Sequence, residues 1–172
     1  SLAQLTDFAE TAQAAQALKQ SGESVATALT PASALKNAGR ATPEASIQTG
    51  IWAAVGGGVD TLAGTLAFTP SARAKADAWF AGLSETSRQE YGSPEKVIAL
   101  MISQSAAELT GMQVLGQKAI SDTDVGVRVR FASGDDRVKD ETFLMRRTGD
   151  DWKMVLPDST VEKFARRLAG GK

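Results

Sequence analysis

Near residue 106 the spacing of apolar side chains changes from a helical period to an alternating one, and no other feature constrains the fold as much. Upstream, Ile47, Ile51, Ala54 and Val55 recur at intervals that place them on one helix face, as do Val97, Ile98, Met101 and Ile102. Downstream, Val125, Val127, Val129 and Phe131 alternate with Gly126, Arg128, Arg130 and Ala132. Strands are predicted over 108–120, 125–132, 137–147 and 152–156, with polar turns at 121–124, 133–136 and 148–151. Connections this short join antiparallel neighbours, because parallel pairing needs a crossover of a dozen residues or more. The chain is therefore α+β, with N-terminal helices packed on a curved four-stranded antiparallel meander sheet. Gly111 and Gly116 in the first of these strands predict bulges or bends.

Helix starts are marked by proline. Four of the five prolines directly follow a hydroxyl residue, at Thr30-Pro31, Thr42-Pro43, Thr69-Pro70 and Ser93-Pro94. The hydroxyl accepts a bond from an orphan N–H of the first turn, and proline at the next position fixes φ where its missing donor costs nothing. The helix after Pro43 ends at Gly56-Gly57-Gly58, and Asp60 opens a short segment carrying Leu62 and Leu66. Residues 66–95 read as helical, with Ala72, Ala76, Trp79, Phe80 and Leu83 facing inward and a short turn of helix over 85–90. Pro157 ends the last strand, and Asp158 or Ser159 caps a closing helix to about Leu168.

Three parts follow: a helical arm and linker over 1–41, a folded domain over 42–157, and a C-terminal helix and tail over 158–172. In the arm, Leu2, Leu5, Phe8, Ala12, Ala15 and Leu18 make a stripe too thin to fold alone. It reads as a stalk or as an arm that packs on the domain or on a neighbour. No apolar run approaches the roughly 20 residues that span a bilayer. A membrane association is expected only through a segment outside this chain, and an extracytoplasmic location is favoured over a cytoplasmic one.

Composition narrows the chemistry. There is no cysteine and no histidine among the 172 residues, which removes disulfides, thiolate nucleophiles and the commonest metal ligand and general base. With 19 basic against 20 acidic side chains the net charge is −1, and no nucleic-acid partner is expected. The acidic turns at 122–124 and 135–136 lack the spacing of a calcium loop, so neither metal nor cofactor is expected. Gly56-Gly57-Gly58 follows a helix and has no Gly-Lys-Ser/Thr continuation, so it is a turn and not a phosphate loop.

Two stretches, in this order, resemble the NTF2-like superfamily, the cone-shaped α+β fold also called SnoaL-like or ketosteroid-isomerase-like. The first runs from Thr42-Pro43-Glu44 through Ala53-Ala54-Val55 and on to Gly58-Val59-Asp60-Thr61-Leu62, similar to the opening helix and its Gly-Asp-x-x-x-Leu continuation. The second comprises 125–131, 141–147 and Gly149-Asp150-Asp151-Trp152-Lys153-Met154, similar to the final strands. The resemblance covers roughly 42–157. It implies a sheet curled around a hollow that the helices close, and an early hairpin that this sequence does not display. Catalytic members of the family use acid/base residues in that hollow, often histidine with aspartate; this chain has no histidine, and no catalytic residue is carried over.

Seven residues are pocket candidates: Trp52, Trp79, Tyr91, Met101, Arg128, Arg130 and Glu141. The tryptophans and Met101 read either as a ligand-stacking, deformable lining or, more simply, as core. Arg128 and Arg130 share one strand face; they hold an anion if that face lines the hollow, or pair with acids such as Glu141 if it is the outer face. Asp140 and Glu141 point to opposite faces, so one of them at most enters the hollow, where with Tyr91 it would act on a carbonyl compound. The leading functional expectation is a non-catalytic domain that binds a small apolar ligand or a partner protein, including a second copy through the exposed sheet face. The alternatives are a small-molecule isomerase, dehydratase or hydrolase using carboxylates, and an envelope-tethered structural module.

Overall fold

The structure, a computed structural model, describes residues 29–170; the predicted arm helix lies outside them. Six α-helices are present among these residues: α1 (Pro43–Gly56), α2 (Val59–Gly64), α3 (Pro70–Ala81), α4 (Glu85–Tyr91), α5 (Pro94–Ser105) and α6 (Asp158–Gly170). Three of the four hydroxyl–proline pairs cap as expected. Thr42, Thr69 and Ser93 accept from the backbone N–H groups of Ala45, Ala72 and Lys96 at 3.0, 3.2 and 3.3 Å. Ser84 does the same for α4 without a proline, accepting from Ser87 N–H at 3.1 Å. Helix α1 ends in Gly57 at φ +75°, a conformation glycine adopts without steric cost.

The fourth pair behaves otherwise. Thr30–Pro31 is a short strand, β1, followed by a single 3-10 turn at Ala32–Ala34. It pairs antiparallel with β3 (Leu109–Ala119), Thr30 opposite Met112 and Pro31 opposite Gly111. Proline is tolerated there because β1 is the edge strand among the described residues, where no further ladder needs its missing N–H.

The four predicted strands form the antiparallel meander, β3, β4 (Asp124–Ser133), β5 (Val138–Thr148) and β6 (Asp151–Leu156). The count of four is corrected to six. Besides β1, a strand β2 (Leu66–Phe68) lies parallel to β6, with Leu66 opposite Met154 and Phe68 opposite Leu156. The sheet order is β1-β3-β4-β5-β6-β2, so it is mixed, and the helical reading of 66–95 fails at its first three residues. β3 carries register shifts between Leu109 and Gly111 and between Val114 and Gly116, at the two predicted glycines, and such shifts bend and twist a strand.

One sheet face is the core. Val127 and Val129 are fully buried, and with Val125, Met112 and Met145 they pack against Ile47 and Ile51 of α1 and Leu35 of the preceding loop. A second cluster joins Ala53 and Ala54 to Leu62, Leu66, Ile98, Ala99, Ala106 and Leu156, where α1, α2 and α5 meet the parallel edge. A third is small: Ala72 and Ala76 of α3 against Val161 of α6, with Phe68 beside them.

Polar contacts fix α1 across this surface. Ser46 Oγ donates to the Trp152 carbonyl at 2.6 Å. Thr49 Oγ1 accepts from Ala38 N–H at 2.9 Å and donates to the Gly39 carbonyl at 2.8 Å, so the loop before α1 is tied to its buried flank. Trp152 N–H donates to the Arg40 carbonyl at 2.8 Å, which brings the same loop onto β6.

Candidate functional site

Alternation along β4 assigns each strand residue to a face. Val125, Val127, Val129 and Phe131 face the helices, so Arg128 and Arg130 lie on the outer face. The ladder places Arg130 opposite Asp140, and the two form a bidentate pair: Nε to Oδ1 at 2.7 Å and an Nη to Oδ2 at 3.0 Å. Arg128 reaches the same carboxylate at 3.8 Å. The Arg130 hydrogen bond holds the Asp140 carboxyl below its ordinary range against a smaller desolvation effect, and it raises the guanidinium in return. Further along that face, Arg146 grips Asp124 with two bonds of 2.9 Å, and these lower the Asp124 carboxyl likewise. The expected cross-strand pairing is thus present, but the acid is Asp140 and not Glu141.

Glu141 stands on the helix-facing side, opposite the fully buried Val129 and two residues from Phe143. Its carboxylate meets Lys139 Nζ at 2.8 Å at the end of that face. Beside it Phe131 and Phe143 meet edge to face, ring centroids 6.0 Å apart, both half-buried against the valine cluster together with Val114. This geometry is favourable for aromatic rings and leaves part of each ring for another apolar group.

From α1, Gln48, Trp52 and Val55 follow one another at intervals of four and three and so share one flank of the helix. Val55 packs on the valine cluster, whereas Trp52 is 38% exposed. Gln48 Oε1, like Gln113 Oε1 on β3, is buried and accepts no hydrogen bond among the described residues. An amide oxygen shielded from water without a donor costs free energy until a donor arrives.

The remaining candidates do not join this group. Met101 is buried on α5, and Trp79 and Tyr91 are half-buried on α3 and α4. Those last two helices pack chiefly against α5, α6 and β2 rather than on the valine face. Of the seven sequence candidates, Trp52 and Glu141 border the helix-facing side of the sheet, three belong to the helical layer, and two are outer-face ion-pair residues. Sequence reasoning overlooked Gln48 and Phe143. The alternation of Phe143 with Met145 could have found the second; the first has no sequence signal.

The fold and this face define an α+β domain whose sheet presents a buried valine floor and a half-open aromatic margin. No protein-family model and no curated protein matches the chain. Among solved structures, one from Campylobacter jejuni, provisionally named an NTF2-like transpeptidase, aligns with 67% of this chain and 99% of its own, at 9% identity and a TM-score of 0.43. A likeness this distant carries no argument about family or activity.

Proposed function

We propose that the chain is an NTF2-like binding domain that holds a small apolar molecule bearing one hydrogen-bond donor. The observation that carries this reading is the buried, unanswered Gln48 Oε1 on the flank of α1 that runs beside the valine face. Phe131, Phe143 and Val114 supply apolar contact area, and a hydroxyl or amide N–H on the ligand satisfies the glutamine.

Calorimetric titration with octan-1-ol and with its methyl ether tests the reading. The alcohol should bind more tightly than the ether by about tenfold, the worth of one buried hydrogen bond. The Gln48→Leu variant should bind the two equally. Equal binding by the unaltered protein would overturn the proposal.

A further inference from the structure

The outer sheet face has a second feature that the reading above does not use. Pro31, Gly111, Ala132 and Val138 lie in one row across β1, β3, β4 and β5, each opposite the next in the ladder. By alternation this row shares the face of Arg130 and Asp140. Its two central members have almost no side chain, so the row is a trough where its neighbours carry bulk. A Cβ at Gly111 would come 3.0 Å from the Thr30 carbonyl oxygen, a tight contact that β1 would have to relieve. The trough is a cavity of about 360 Å³, walled by Leu29, Val138, Thr110, Ser133 and Asp136. That volume falls within the range of small-molecule sites.

The lining is mostly apolar, with Thr110, Ser133 and Asp136 as its polar members. Leu29, Pro31, Ala132 and Val138 supply hydrocarbon, and Val138 is left 55% exposed. Asp136 is the single charged residue in the lining, at φ +60° in the turn between β4 and β5. Its neighbours are already matched: Asp135 pairs with Arg137, and Asp140 on the next row pairs with Arg130. Among the described residues no cation forms an ion pair with Asp136. An apolar trough with one uncompensated carboxylate at its rim attracts a cation on an apolar chain and repels an anion of the same shape.

We propose that this trough binds a small amphiphilic cation, an apolar chain carrying one protonated amine. The site lies on the opposite face of the sheet from Gln48 and Phe143, so it stands or falls independently of the reading above. The test is a titration of the ¹⁵N-labelled full chain with octylammonium and, separately, with octanoate, read by amide chemical shifts. Octylammonium should give saturable shifts centred on Gly111, Ala132, Ser133 and Val138, and octanoate should bind there several-fold more weakly. Ala132→Leu, which fills the trough, should weaken binding at least tenfold, as should Val138→Ser, which removes a wall, should the first variant fail to fold. Asp136→Asn keeps a residue type that tolerates positive φ and should weaken binding about two- to fivefold, the scale of an exposed ion pair. Equal shifts from octanoate, shifts centred elsewhere, no saturable shift at all, or unchanged binding by a folded trough variant would each overturn the proposal.

Discussion

Ser46 Oγ donates to the carbonyl oxygen of Trp152 at 2.6 Å, and Ser46 itself is 1% exposed. This single bond fastens the first turns of α1 to β6, at the opposite edge of the meander from β3, and sets where the helix lies over the valine face. Ser46→Ala leaves that carbonyl without its side-chain donor. Thermal unfolding should show a loss of about 1–3 kcal/mol, or roughly 2–4 °C in Tm for each kcal/mol.

The helix caps separate two uses of one sequence pattern. Thr42→Ala and Thr69→Ala each remove an observed cap bond and should cost about 1 kcal/mol. Thr30→Ala, at the same position before a proline, removes no helix cap and should fall within about 0.5 kcal/mol of the unaltered protein. Denaturant midpoints for the three variants measure the contrast directly.

Two glycines of one strand should respond in opposite ways to alanine. At Gly111 the added methyl meets the Thr30 carbonyl oxygen at 3.0 Å and can fit only by displacing β1. At Gly116 it meets nothing within 4 Å. Gly111→Ala should increase amide exchange along β1 and lower stability, whereas Gly116→Ala should be neutral or stabilising by about 0.5–1 kcal/mol.

Acid sensitivity should trace to the outer-face pairs. Asp140 and Asp124 have carboxyl groups lowered by Arg130 and Arg146 from an ordinary value of 3.8. A folded-state pKa below the unfolded one means that the native state resists protonation. Its contribution is complete above about pH 4 and lost as pH falls through the lowered folded value. In urea unfolding between pH 7 and pH 2, the Asp124→Asn/Asp140→Asn double variant should lose less stability over the acid part of the range than the unaltered protein does.

Much of the fold is legible in local sequence because its signals are local. Alternation from Val125 to Phe131 and the hydroxyl–proline pairs each act within a few residues, and they place β4 and the starts of α1, α3 and α5. Leu66–Phe68 escapes because three residues are too short to display a period, and its strand character comes from parallel pairing with β6, far along the chain. Thr30–Pro31 escapes for a related reason: the pair suits a helix start or an edge strand, and contact with Gly111 decides between them. Among the site residues, the charges of Arg130 and Asp140 suggest pairing, but only the register selects Asp140 over Glu141. That Gln48 Oε1 is buried without a donor is a property of the packed molecule and leaves no trace in the order of residues.

Native mass spectrometry of the full chain, purified from its own host without detergent, tests the central claim most directly. The binding account predicts a second species heavier than the bare chain by one small organic molecule. That species should disappear in a Phe143→Asp variant whose circular dichroism is unchanged. A single species at the mass of the bare chain, or an adduct retained in full by the folded variant, would contradict it.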